Sequence, residues 1–356
     1  MNLHFSNRYV LNATLIICWL ATAFIGFNGF FKSHDLLTVS LFNYHIPDAL
    51  TFLLAVMMFS LPVTGLFINV RIAKWLLLIS VFLYLVLIVF DLHRLTPYMI
   101  VYLGVFAALI LLKYDSSILY TALLIIASGI YIFSGLHKLN IGFVIDIAPR
   151  FWLYSLPFNY TNTIGYGFAI IEIVAGLLLL LPLTRKLACI PLLLVQTLII
   201  FKLVPWKLDW NSIVLPWNFL MIVILIYLFR KSALSTFRIG SAQPIMVVLG
   251  VFFWLLPALS QIIWIPENLS MMLYSGKSKS GYLVLNDHMD RLSSYDRIPE
   301  KEKMLISLQR LSMEERGIAI HPELKIYDKI LENFKSKIPQ TDGIYYIHPN
   351  KIAEKL

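Results

Sequence analysis

Nine long apolar runs, separated by short polar or charged breaks, constrain this chain more than any other feature. They cover residues 10–31, 48–70, 74–94, 97–113, 117–137, 162–183, 186–204, 212–229 and 243–265. A helix that crosses a bilayer needs about 20 mainly apolar residues, because the hydrocarbon layer is roughly 30 Å thick and each residue rises about 1.5 Å. Of the 356 residues, 59% are hydrophobic and only 14% are charged, whereas a soluble domain carries roughly a quarter charged. One soluble core cannot hide that much apolar surface, so the expected solvent is lipid. The breaks carry helix-ending or charged residues, among them Lys32 to Asp35, Arg71 with Lys74, Lys113 to Asp115, Arg185 with Lys186, and Arg230 with Lys231. Pro97 divides the third run from the fourth, since the residue before a proline is driven out of the helical region.

The first run follows Met1 to Arg8 and superficially resembles a signal peptide. It is long enough to span, and no small-x-small cleavage pattern follows it, so it reads as the first transmembrane helix. The expected fold is therefore an all-α polytopic bundle of about nine transmembrane helices over residues 1–266, followed by a small α+β soluble domain over 267–356. In that tail, Gly281 to Leu285 and Gly343 to Ile347 read as strands, and Glu300 to Glu315 and Glu323 to Lys337 as helices. The stretch from Asn140 to Thr161 is too polar to span. With Phe151, Trp152, Tyr154, Phe158 and Tyr160 it reads as an amphipathic element on the outer face.

Charge supplies an orientation. Residues 1–266 hold 15 Lys and Arg against 7 Asp and Glu, and residues 267–356 hold 14 against 13. The net charge of +9 thus belongs to the membrane part, where it reads as loop charge facing the cytoplasm and anionic lipid rather than nucleic acid. With a cytoplasmic N-terminus the inner segments hold nine basic residues and the outer ones six. The C-terminal domain then lies outside the cytoplasm. Cys18 and Cys189 sit within apolar runs and read as small buried hydrophobes, not as a disulfide. No Cys or His spacing suggests a metal.

Ionisable residues inside apolar runs are the places to look for function, because each costs about 2.5–3.5 kcal/mol at a helix centre on insertion scales. Glu172 lies about ten residues into the sixth run, near mid-bilayer, and must pair, take a proton or face a wet cavity. Lys138 closes the fifth run on the outer side, where a snorkelling lysine is the plain alternative. Asp91 and Arg94, three apart, are expected to pair on one helical face, with His93 beside them. Lys202, Trp217 and Asn218 also fall at the outer ends of their runs, and the string Leu215 to Asn218 is expected to break the first turn of its helix. Together these residues describe an outer-facing cavity with an acid at its floor. A lysine kept dry can lose its proton near neutral pH and serve as a base.

Several strings resemble a known superfamily. YIFSGLHKLN (Tyr131 to Asn140) and IEIVAGLLLLLPLTRK (Ile171 to Lys186) resemble paired helices of the vitamin K-dependent γ-carboxylase and HTTM superfamily. DLHRLTPY (Asp91 to Tyr98) and VLPWN (Val214 to Asn218) resemble bacterial DoxX and MauE-type proteins. The resemblance covers residues 91–229. It implies that Lys138 is the candidate base toward a quinol and that Glu172 matches an intramembrane acid; it leaves the cofactor unassigned, with a quinone compatible with it. The superfamily's His-x-x-Asn string has no counterpart around Gln196, and its large lumenal domain is reduced here to about 85 residues. The implied activity is therefore quinone or lipid binding, with modification or oxidation of an exported substrate by a quinone-linked oxidoreductase or carboxylase-like enzyme. The other reading is a non-catalytic membrane accessory for maturation of an exported protein or peptide, bound through the C-terminal domain.

Overall fold

A computed structural model of the chain describes residues 3–34, 36–42, 44, 46–112, 116–148, 158–203, 212–231, 244–272, 275, 277, 280–285, 304–338, 341–347 and 353–355. Over its described residues, each of the nine apolar runs lies mostly on helix. The bundle consists of α1 (Leu3–Ile25), the short α2 (Phe27–Phe31), α3 (Asp48–Gly65), α4 (Val70–Phe90), α5 (Pro97–Leu111), α6 (Ser116–Lys138), α7 (Phe158–Leu180), α8 (Arg185–Leu203), α9 (Val214–Lys231) and α10 (Pro244–Leu259). Among the described residues, α3, α4, α6, α7 and α9 are long and apolar enough to cross a membrane, five helices where the runs led us to expect about nine spans. α1, α5 and α10 are apolar but shorter over their described residues. α8 is 19 residues long and carries Arg185, Lys186 and Lys202.

The outward faces of these helices are apolar. α4 exposes Trp75, Leu78, Ile79, Phe82 and Leu85, α7 exposes Ile170, Val174 and Leu177, and α8 exposes Leu187, Ile190 and Leu194. Stripes at helical spacing on adjacent elements form a surface that water-soluble proteins rarely leave open, and one that lipid solvates. The inward faces meet around Trp19, whose indole Nε1 donates to the Phe59 carbonyl at 2.8 Å and whose ring lies edge-on to Tyr102 and Phe106.

Contacts sort the helix termini into two groups. At one end the Arg185 guanidinium of α8 lies 5.6 Å from the Tyr120 ring of α6, and Lys186 lies over Phe229 of α9. At the other end are the α2–α3 and α4–α5 connections, the C-terminus of α6 and the segment after α10. Val89 accepts a hydrogen bond from the backbone of Leu41, and Leu92 donates to Val39. His137 meets Ser260 and Gln261.

The C-terminal domain sits at this second end. Its sheet comprises β1 (Ser280–Leu285), β2 (Met304–Ser307), β3 (Thr341–Ile347) and β4 (Ala353–Lys355), all antiparallel in the order β2-β1-β3-β4, with α11 (Leu308–Arg316) and α12 (Leu324–Lys337) packed on it. The core joins Leu283, Ile306, Leu311, Ile326, Ile330 and Phe334, and it also takes in Leu37 and Val39 from the α2–α3 connection.

Local expectations needed four corrections. Met304 to Ser307, expected within a helix beginning at Glu300, are strand. Leu305 and Ile306 pair with Val284 and Leu283, and sheet pairing outweighs helical propensity there. Ser307 then caps α11 by accepting from the Arg310 backbone. β4 is short and unremarkable in composition, and it joins the sheet through backbone pairing with β3. α7 begins at Phe158, inside the stretch expected to lie on the surface, while Phe151, Trp152 and Tyr154 lie outside the described residues. α9 runs unbroken from Val214 through Pro216, because a proline in the first turn lacks only an N–H that has no helical partner there.

Candidate functional site

α6 and α7 approach each other closely at two glycines, Gly135 and Gly176. A Cβ added at Gly135 would come within 2.7 Å of the Ala169 carbonyl oxygen and of Ile173, and one at Gly176 within 2.8 Å of Ile132. Small residues are what allow this approach in helix pairs. Lys138 is the last residue of α6. Helical side chains lean toward the N-terminus of their own helix, so its ammonium turns back into the bundle.

There it meets Glu172. Nζ donates to Oε1 at 2.6 Å and to Oε2 at 2.7 Å, and the two side chains are 11% and 5% exposed. The sequence marked these two residues separately, and the structure pairs them with each other. The Phe143 ring covers Nζ at 5.8 Å, an arrangement that favours a cation. Asn140 ties the mouth of this site to the C-terminal segment, donating from Nδ2 to the carbonyls of His137 at 2.7 Å and Ser275 at 2.6 Å. The neighbouring His137 ring lies 3.2 Å from Ser260 Oγ and 3.1 Å from Gln261 Nε2.

Two turns below Lys138 on the same face of α6 is Tyr131. Gln196 of α8 donates from Nε2 to its hydroxyl at 3.1 Å, and Gln196 Oε1 is buried without a hydrogen-bond partner. If the amide were turned over, Oε1 would accept from Tyr131 and the NH2 group would be left over instead. One end of a buried amide is unsatisfied in either orientation. Both residues escaped the sequence reading, although the seven-residue spacing from Tyr131 to Lys138 was available as a signal.

Asp91, His93 and Arg94 form a separate group. α4 ends at Phe90, and Asp91 starts a single 3-10 turn, Leu92–Arg94, in which its Oδ1 accepts from the His93 backbone at 3.2 Å. The expected helical pair is therefore a turn-based one, with Arg94 Nε 3.6 Å from Asp91 Oδ2. The tighter partner of Asp91 is Arg316, at the end of α11, through Nη2. Arg316 Nη1 also donates to the Leu37 carbonyl at 3.3 Å, and the His321 backbone N–H donates to His93 Nδ1 at 2.9 Å. Burial pushes the Asp91 carboxyl up, but the guanidiniums of Arg316 and Arg94 outweigh it and hold the group below the usual carboxylate range. Burial keeps His93 neutral, with its pKa lowered to about 3, and takes His321 to about 4. This group fastens the C-terminal domain to the bundle. No sequence signal marked Arg316 or His321, because each lies more than 200 residues from its partner.

The remaining expected residues do not converge on Lys138. Asn218 donates from Nδ2 to the Val214 carbonyl of its own helix at 2.8 Å. Trp217 has a buried Nε1 without a hydrogen-bond partner. The side chain of Lys202 lies outside the described residues. Cys18 and Cys189 are free and buried. Among the described residues no group of three or more His, Cys, Asp or Glu side chains could hold a metal ion. Comparison of the chain with protein-family models, with curated proteins and with solved structures found no match.

Proposed function

We propose that this chain is a multi-pass membrane protein of the γ-carboxylase and HTTM type that binds a quinone or lipid at the Lys138–Glu172 site and acts on an exported substrate. In this reading about nine helices cross the bilayer, the N-terminus is cytoplasmic, and the C-terminal domain lies on the outer side. The observation that carries the proposal is the bidentate pair of Lys138 and Glu172, held in a nearly dry place beside the α6–α7 contact.

A buried ion pair can neutralise itself by moving one proton. When the Lys138 ammonium gives a proton to a Glu172 carboxylate oxygen, an amine faces a neutral acid, and both charges leave the low-dielectric site. The Nζ lone pair can then take the proton of an acidic hydroxyl on the ligand. That returns Lys138 to an ammonium and leaves the ligand's anion beside it. Quinones supply two oxygens at opposite ends of a flat ring, and the proposal assigns one oxygen to each of two pairs anchored on α6. Lys138 and Glu172 would hold one oxygen. The half-satisfied pair of Tyr131 and Gln196 can donate or accept, as a ligand that alternates between carbonyl and hydroxyl requires.

The test is binding of a short-chain para-benzoquinone, and of its hydroquinone, to the purified full-length chain, followed by quenching of tryptophan fluorescence. Saturable binding that Lys138→Ala weakens at least about tenfold, the loss of one charged hydrogen bond, supports the proposal. Absence of binding in both redox states overturns the assignment of a quinone to the site. A second reading, that the protein is a maturation accessory without catalysis, draws on the docked C-terminal domain. It predicts that Lys138→Ala complements a deletion strain fully while loss of the domain does not.

A further inference from the structure

The connection between α2 and α3 first runs through the C-terminal domain and then leaves it. Leu37 and Val39 are buried in the domain's core. α12 grips the same stretch by its backbone, with Asn333 Nδ2 donating to the Thr38 carbonyl and Lys329 Nζ to the Ser40 carbonyl, both at 3.1 Å. Beyond Ser40 the chain stays apolar but loses its cover. Leu41, Phe42 and Tyr44 are 52%, 76% and 62% exposed. A second tip at the same end of the bundle does likewise. Ile262, Ile263 and Trp264, directly after α10, are 85%, 53% and 74% exposed.

The first tip lies at a definite height on the bundle. Leu41 donates its backbone N–H to the Val89 carbonyl at 2.9 Å, and the Tyr44 ring lies 6.4 Å from that of Phe90, the last residue of α4. α4 has 21 residues, and at 1.5 Å each that is about 31 Å, close to the roughly 30 Å of a hydrocarbon layer. Its exposed apolar face runs from Trp75 through Phe82 and Leu85 toward Val89, so the tip continues a surface that lipid solvates. Where that face ends the headgroups begin. Tyrosine and tryptophan are favoured there, because their rings are apolar while the hydroxyl and indole N–H reach water. The two tips carry one of each, and none of their six residues is charged. A flat lipid surface covers two separate tips at one end of a bundle, whereas a protein partner needs a shape matched to both.

We propose that Leu41, Phe42 and Tyr44, together with Ile262, Ile263 and Trp264, insert into the headgroup layer of the leaflet at the end that carries the C-terminal domain. The occupant of this surface is lipid. Because the first tip continues the stretch that gives Leu37 and Val39 to the domain's core, its insertion fixes the domain against the membrane. The inference rests on α4 spanning the bilayer and is independent of any ligand at Lys138.

The test places a nitroxide on the purified full-length chain in lipid nanodiscs, at Phe42→Cys, Trp264→Cys, Phe82→Cys of α4 or Glu332→Cys of α12. All four positions are exposed, so the substitutions remove little packing. Cys18 and Cys189 are buried, and the unsubstituted chain gives the background. Power saturation reads collisions of each label with oxygen, which concentrates in lipid, and with a nickel chelate, which stays in water. The expected result is an excess of oxygen over chelate collisions at positions 42, 82 and 264, smaller at 42 and 264 than at 82, and the reverse at 332. With the label at position 82 in lipid, a label at either tip as open to the chelate as the one at 332 overturns the insertion alone. So does a tip label shielded from both reagents, the sign of a second copy of the chain or another protein on this surface. A label at position 82 open to the chelate overturns the membrane reading of α4 itself.

Discussion

Lys138 and Glu172 are 34 residues apart in the chain and share two hydrogen bonds, of 2.6 and 2.7 Å, at the point where α6 and α7 touch backbone to backbone. An ion pair in that position is more a commitment than a source of stability, because the desolvation of two charges roughly cancels their attraction. Removing one partner is a different matter, since the other charge is left buried and alone. We therefore expect Glu172→Leu to cost about 3–5 kcal/mol. The double substitution Lys138→Met with Glu172→Leu should recover most of that loss. Thermal unfolding of the purified variants measures both, and a double variant no more stable than Glu172→Leu would contradict the account.

The α6–α7 contact makes a second prediction. Gly135→Val places methyl groups where Ala169 O and Ile173 already stand. Separating the helices should cost about 1–3 kcal/mol through overpacking. It should also draw Glu172 away from Lys138. Thermal unfolding of the purified variant measures the cost, and a Gly135→Val chain as stable as wild type would count against it.

Docking of the C-terminal domain should weaken in mild acid. His93 and His321 have folded-state pKa values of about 3 and about 4, below the ordinary histidine value of 6.5. Between about pH 6.5 and pH 4 the undocked or unfolded chain therefore binds more protons than the native one, and stability falls as the pH falls. Each histidine contributes at most about 1.4 kcal/mol per pH unit in that window. The Asp91 carboxyl, held below its usual range, adds a further loss at lower pH still. Limited proteolysis of the domain across this range should show cleavage appearing below about pH 6. An unchanged pattern from pH 7 to pH 4 would rule out this linkage.

Gly317 supplies an independent test of the same junction. It ends α11 in the left-handed region, at φ 68°, and a Cβ there would lie 2.5 Å from the Ile25 carbonyl oxygen. Gly317→Ala carries both a conformational cost of about 1–2 kcal/mol and a clash with the end of α1. The expected outcome is a C-terminal domain that is cut by protease at neutral pH while the bundle stays intact.

Orientation can be read with impermeant thiol reagents in whole cells. A cysteine at Ser33, on the end of the bundle that carries the C-terminal domain, should label from outside. One at Asn69, which caps α4 at the other end, should label only after the membrane is opened. The reverse pattern would invert the proposed topology.

The sequence by itself determined where the helices are, because a run of about twenty apolar residues has few alternatives once its backbone groups must be satisfied without water. It also marked Lys138 and Glu172, since an ionisable side chain in such a run is costly enough to stand out. What it could not supply is distance. Lys138 reaches Glu172 only because Gly135 and Gly176 let two helices touch. Asp91 pairs most closely with Arg316, 225 residues away, and not with Arg94 three residues on. Composition places a charge in the chain, but the tertiary packing of helices and domain decides which charge it faces, and with that whether the group can move a proton or only holds two parts of the fold together.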